Sequence, residues 1–266
     1  MRRIIIIGTA IAVLVGASAA YASFNSYTAT FKFTPNRAGS TKSHSPLGMT
    51  LTYNAFGTAP DRAAPLSDLK TTIYGVVADG KDFAKCSVSK IANAKSDKVC
   101  PAEALVAKGY VHSLLGPGNN GLATAPVIKC NPGLDVWNAG QGHLVFFFTA
   151  VAAKQCGGLE TGAAAPFPAT VKQSGKNLVL DVPQPADVST KVANITNFYS
   201  TLAFEKLTWK KLSKTVKGKK VAFLASVACK NGKRPWTQAF TAVNFTGGAG
   251  GATSTSRVSG SEKCTK

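Results

Sequence analysis

The stretch Lys219–Phe245, KKVAFLASVACKNGKRPWTQAFTAVNF, decides how the chain is read. Its centre is Asn231-Gly232. Both residues tolerate positive φ, so the two apolar alternating runs around them predict a β-hairpin. The first strand is expected over Val221–Cys229 and the second over about Trp236–Phe245. Cys229, at a strand end, is placed to staple the hairpin to another part of the chain. Lysines and Arg234 crowd the strand ends.

The same style continues outward from this stretch. Tyr27–Thr34 alternates, with Tyr27, Ala29, Phe31 and Phe33 on one face, and predicts a half-buried strand. Met49, Leu51, Tyr53 and Ala55 mark a second strand that pairs with it across the loop Pro35–Pro46. Leu69–Val77 is a third, with Gly75 as a kink or bulge. Pro101–Leu105 predicts one helical turn opening at a proline. A short strand is expected at Tyr110–Leu115, Val127–Cys130 leads to a turn at Asn131-Pro132-Gly133, and Trp137 stands in a Gly/Asn-rich loop. Leu144–Ala152, LVFFFTAVA, is continuously apolar and predicts a central strand buried on both faces. Thr170–Gln173 and Leu178–Val182 follow. Phe198, Ser200, Leu202 and Phe204 alternate, but the apolar parity then shifts to Leu207 and Trp209, which predicts a bulge. Thr253–Cys264 reads as a returning edge strand. Many short strands with little helical periodicity predict an all-β fold, an antiparallel β-sandwich of two packed, disulfide-stapled units. Leu159–Pro168 is the candidate boundary, dividing 23–162 from 163–266 unless the two halves form one domain.

The N-terminus, MRRIIIIGTAIAVLVGASAAYAS, has a positive start at Arg2 and Arg3, a short apolar run at Ile4–Val15 and small residues at Ala20-Tyr21-Ala22. That pattern predicts a signal peptide over residues 1–22 and a secreted, extracellular or envelope-associated chain with no transmembrane segment after cleavage. Six cysteines follow: Cys86, Cys100, Cys130, Cys156, Cys229 and Cys264. Export makes disulfides the default. Fifteen connectivities are open; sequential pairing is favoured because each pair then brackets a locally closed segment. Close CxxC pairs are absent and the three histidines lie far apart, so neither metal nor cofactor is expected.

The formal net charge is +19, unevenly spread. Between Lys206 and Arg234 stand ten basic residues and no acidic one: Lys206, Lys210, Lys211, Lys214, Lys217, Lys219, Lys220, Lys230, Lys233 and Arg234. Such a segment attracts anionic polymers such as wall polymers or acidic glycans. The plainer reading is edge protection by strand lysines. Nucleic acid is not expected, since no binding motif is present. Trp137 and Trp236 are candidate platforms for stacking on a glycan.

No catalytic constellation is visible. Gly116–Gly121 fits G-x-G-x-x-G but lacks a following helix, and a turn accounts for it. Ser67…Lys70 and Ser87…Lys90 fit S-x-x-K without the companion motifs of penicillin-recognising enzymes. His44, His112 and His143 stand alone locally, although a triad with Asp135 or Asp181 could assemble in space.

Cys86, then Cys100-Pro101, then LVAKGYV at 105–111 follow the extended run Leu69–Val77. FPATV at 167–171, SGKNLVLDVP, Ile195–Phe198, a strand ending at Cys229, the Trp236 turn and a terminal Cys264 complete the order. This order resembles a group of secreted, disulfide-containing β-rich proteins of high-GC Gram-positive bacteria with no assigned activity. The resemblance implies export, β architecture and a Cys229–Cys264 link, and it carries over no catalytic residue. The function expected is that of a secreted, non-enzymatic protein binding anionic envelope polymers through its basic face. A carbohydrate-binding module and a secreted hydrolase are the alternatives.

Overall fold

A computed structural model describes residues 24–40, 43–57, 62–117, 128–149, 156, 165–192, 198–244 and 251–265. The predicted signal peptide lies outside them, as does 118–121 of the glycine motif. The described chain is predominantly antiparallel β. Its strands are β1 (Ser26–Thr34), β2 (Ser45–Pro46), β3 (Gly48–Phe56), β4 (Leu66–Tyr74), β5 (Val76–Ala78), β6 (Leu105–Pro117), β7 (Ile128–Cys130), β8 (Gly133–Gly140) and β9 (His143–Thr149). They continue as β10 (Phe167–Ser174), β11 (Asn177–Pro183), β12 (Phe198–Trp209), β13 (Ser213–Val216), β14 (Lys219–Ala222), β15 (Leu224–Ser226), β16 (Lys233–Val243) and β17 (Thr253–Lys263). Two short helices, α1 (Val88–Ala94) and α2 (Ala186–Ser189), interrupt them.

One sheet runs β1-β3-β12-β6-β8-β9-β10-β11-β4-β16-β17. Its two ends approach each other: β17 lies beside β1, and Ser256 Oγ donates to Asn25 O at 3.4 Å. The result is a nearly closed, barrel-like sheet. Strands from 23–162 and 163–266 interleave in it, with β12 between β3 and β6 and β11 against β4. Inward positions of β1, β3, β4, β12 and β16 carry Phe31, Leu51, Tyr53, Ile73, Leu207 and Phe240, all buried. Outward positions of β1, β3, β16 and β17 carry mainly Thr, Ser and Lys. A lipid-facing barrel shows the reverse alternation. Among the described residues no helix is long and apolar enough to cross a membrane.

The continuous apolar run of β9 has a two-sided cause. Leu144, Phe146 and Phe148 enter the barrel core. Val145 and Phe147 point outward, but they are covered by a second cluster built from Ile91 on α1, Cys86, Ala104 and Trp137. The Cys86–Cys100 disulfide closes that covering segment. Trp137 is therefore a strand residue on β8, not a loop residue, and is 5% exposed. Asn138 beside it donates to Gly80 O and Ala84 O, pinning the cover to β8.

The Asn231-Gly232 turn forms with positive φ at both residues, and Lys230 and Lys233 exchange backbone hydrogen bonds across it. The two expected strands do not pair beyond it. The first breaks into β14 and β15. β15 pairs with β2 and β5, while β16 pairs with β4 and β17. Alternation announced the turn, but the partners were settled by sheet closure. Sequential disulfides form as favoured: Cys86–Cys100, Cys130–Cys156 and Cys229–Cys264.

Arg234, expected in the basic face, is instead fully buried where these segments meet. Its Nε donates to Asn36 Oδ1 at 2.9 Å. Nη1 donates to Tyr74 O and Gly75 O at 3.1 and 2.9 Å. Nη2 donates to Ser226 Oγ at 2.6 Å and lies 3.5 Å from Cys264 Sγ. The Phe33 ring covers it at 5.3 Å. Gly75 has φ +67°, and a Cβ there would sit 2.0 Å from Ala228 O, so the chain needs glycine to bring this carbonyl to the guanidinium. Burial lowers the Arg234 pKa to about 10, so it stays charged at neutral pH. The R234K variant keeps the charge but loses the planar fork. It is expected to lose roughly 3 kcal/mol of stability, because one ammonium cannot serve Asn36, Tyr74, Gly75 and Ser226 together. Chemical denaturation checks this; a midpoint equal to wild type would show that the fork is dispensable.

Candidate functional site

The ten basic residues of 206–234 fall into four places. Lys206 sits on the outward face of β12. Lys230 and Lys233 flank the Asn231-Gly232 turn, and Arg234 is inside. The remaining six, Lys210, Lys211, Lys214, Lys217, Lys219 and Lys220, collect on or beside the β13–β14 hairpin. This two-stranded ribbon lies off the main sheet. Its turn is Lys217-Gly218, both with positive φ. That is hairpin chemistry of the Asn-Gly kind, with lysine in the first position.

The register sets the lysine geometry. Lys214 pairs with Val221, Thr215 with Lys220 and Val216 with Lys219. Lys214 and Lys219 therefore share one face as diagonal neighbours, about 7–8 Å apart at Cα. Lys220 points to the other face, and Lys217 caps the tip. All four are exposed. Lys214 also lies over the Phe83 ring, 5.3 Å from its centre, and donates to Asp82 O. The 81–83 segment thus braces the base of the hairpin, a contact no local sequence signal announces. Among the described residues none of the ten basic side chains forms an ion pair with a carboxylate. The two ion pairs found involve other lysines: Lys70–Asp181 at 3.0 Å and Lys108–Asp135 at 3.9 Å.

The tryptophans do not serve as stacking platforms. Trp236 is 7% exposed and packs on Phe31 with ring centres 4.6 Å apart. Gly260 opposite it leaves room that a Cβ would fill, 2.3 Å from the indole. Trp137 is covered by the α1 segment. Strand position put both indoles against apolar neighbours, which a sequence-level count of aromatics does not register.

The histidines stay apart. His44 is exposed before β2, and His112 lies on the outer wall of β6. His143 pairs with Thr170, which in turn faces Asp181 on β11. That carboxylate is taken by Lys70. Among the described residues no histidine bonds a carboxylate. Ser87 of one S-x-x-K match is the N-cap of α1, accepting from Lys90 N, and Ser67 of the other donates to Thr241 O.

The least expected group is inside the barrel. Glu205 on β12 pairs across the ladder with Tyr53 and Val111 and is 5% exposed. The bulge at Ala203 turns it inward. A cavity of about 20 Å³ beside it, lined also by Thr71, Gln184 and Gln238, has room for about one water. Tyr53 Oη approaches Glu205 without reaching hydrogen-bond geometry. Burial pushes the Glu205 pKa up to about 7, with the tyrosine hydroxyl opposing the rise. Burial, reinforced by the neighbouring Asp181, also raises Asp68 to about 6. Asp135 rises to about 6 by burial, with Lys108 acting against it and Asp97 adding to it.

Comparisons with protein families, curated proteins and solved structures found no match.

Glu205 makes stability depend on pH. Its folded value lies above the unfolded value of 4.5, so the folded chain holds the proton longer. Stability contributed here is lost as pH rises from about 4.5 to about 7 and then levels off, with an upper magnitude of about 3 kcal/mol. E205Q has no proton to lose. It is expected to gain on wild type in thermal midpoint between pH 4.5 and 8. Asp68 and Asp135 act alike in both proteins and cancel in the difference. A difference that does not change with pH would contradict this placement.

Proposed function

We propose that the chain is an exported, non-enzymatic protein that docks non-covalently on anionic polymers of the cell envelope through its β13–β14 hairpin. The observation that carries this reading is the collection of four lysines on one ribbon, with Lys210 and Lys211 beside it, none in an ion pair with a carboxylate among the described residues. Unpaired like charges repel one another and lower their mutual energy by recruiting a polyanion. Lysines that only guard an edge would be spread along the strand margins; here they concentrate on a ribbon outside the main sheet. Three disulfides are consistent with an oxidising compartment. The scaffold reads as a flattened barrel, with two walls of one sheet packed face to face. That form keeps the core of a sandwich within a single hydrogen-bonded path. The hydrolase alternative draws no support from the scattered histidines.

The mature protein is expected to bind isolated envelope material with an affinity that falls about tenfold or more between low and high salt. Replacing Lys211, Lys217, Lys219 and Lys220 together by Gln should remove most of that salt-sensitive part and leave the thermal midpoint nearly unchanged, because all four are exposed and the bracing Lys214 is kept. Salt-insensitive retention, or retention by the substituted protein equal to wild type, would overturn the reading.

A further inference from the structure

Phe204 is on the wrong side of the sheet for an apolar residue in this barrel. Plain alternation from Leu202 would place it in the core. The register slip between Leu202 and Phe204 sends it outward and turns Glu205 in. Bulges commonly re-aim a side chain in this way, and they are frequent beside functional sites. Outside, Phe204 stands opposite His112 on β6 and Asn54 on β3. Tyr110, next along the outward row of β6, stands opposite Lys206. The three rings form one group, with centres 5.5 Å apart for Tyr110–His112, 5.7 Å for Tyr110–Phe204 and 5.1 Å for His112–Phe204. Tyr110 is 42% exposed, and His112 is exposed.

We propose that Tyr110, His112 and Phe204 form a binding platform for an acidic oligosaccharide. The aromatic group offers flat π faces suited to the C–H face of a sugar ring, and the tyrosine adds a polar tip. Its rim supplies what hydroxyl and carboxylate groups need. Asn54 and Thr52 lie on the neighbouring strand, and Lys206 projects outward beside Tyr110. The local charge is positive, because Lys206 has no carboxylate partner among the described residues, Lys108 offsets Asp135 and Glu205 points into the barrel. That favours a uronic or sialic acid over a neutral sugar. Size argues for a glycan over a second copy of the chain. A stable protein interface buries about 800 Å² per partner around a broad apolar centre, whereas Asn54, Thr52 and Lys206 border these rings and separate them from core-like apolar surface, with the exposed Phe56 further along β3. The platform uses none of the hairpin lysines, so it stands apart from the envelope-docking reading.

The test is titration of the full mature protein with a panel of galacturonic, glucuronic and sialic acid oligosaccharides and their neutral counterparts, read by calorimetry. At least one acidic member is expected to bind. Y110A and F204A, both changes on the outer wall, should each weaken it about tenfold or more. K206Q should erase the preference for acidic over neutral sugars, and the four-lysine Gln variant of the hairpin should bind like wild type. Absence of binding across the panel would overturn the proposal, as would wild-type affinity in Y110A and F204A. Self-association abolished by F204A, without sugar binding, would assign the patch to a second copy. Binding of single-stranded nucleic acid in place of sugar would assign it to base stacking.

Discussion

Arg234 joins the segment after β1, the kink between β4 and β5, the end of β15 and the Cys229–Cys264 disulfide through one planar group. Its partners are carbonyls, an amide oxygen, a hydroxyl and sulfurs, with no carboxylate among the described residues that it contacts. A charge taken out of water without a counter-ion is costly. It is tolerated here because the fork's nitrogens meet oriented dipoles. The dependence is mutual: Gly75 O accepts from Val227 N, Ala228 N and the guanidinium together, so the irregular backbone and the side chain hold each other in place. One end of the barrel is thus organised by hydrogen bonding.

The rest of the barrel is organised by packing. Tyr27 stacks on Phe240 at 4.0 Å, Tyr53 meets the same ring edge-on at 5.1 Å, and Phe146 stacks on Phe167 at 5.7 Å. Within this apolar interior sits Glu205, with Thr71 donating to Gln238 nearby. A buried acid of this kind opposes stability above its folded pKa, so its presence is not explained by packing alone. It is the inward consequence of the bulge that places Phe204 outside. One inserted residue at Ala203 thereby couples an interior titratable group to an exterior aromatic surface.

The outer wall divides its chemistry by strand. The β13–β14 ribbon holds unpaired positive charge, the β3–β12–β6 wall holds the ring group with Lys206 beside it, and the β16–β17 wall is a ladder of hydroxyls such as Thr237–Ser259 and Thr241–Thr255. Long-range electrostatic attraction and short-range ring contact are thus located on different elements. Each is open to alteration without disturbing the core that supports both.

Local chemistry made much of this legible. Alternation located β1, β3, β11 and β17, the unbroken apolar run located β9, and Gly75 and Asn231-Gly232 marked real turns. The parity shift in 198–209 marked a real bulge, and sequential cysteines found one another because each pair closes a short segment. Strand β8 and helix α1 were not legible, since Gly and Asn masked the first and a covering segment, not periodicity, stabilises the second. What alternation cannot supply is the sign of a face or the identity of a neighbour. Trp137 and Trp236 went in, Phe204 went out, Arg234 left the basic segment for the interior, and the Asn-Gly strands parted to different partners. Those outcomes were decided by the tertiary structure, because closing one sheet from non-adjacent strands sets which side faces the core, and only then does burial determine what each residue can do.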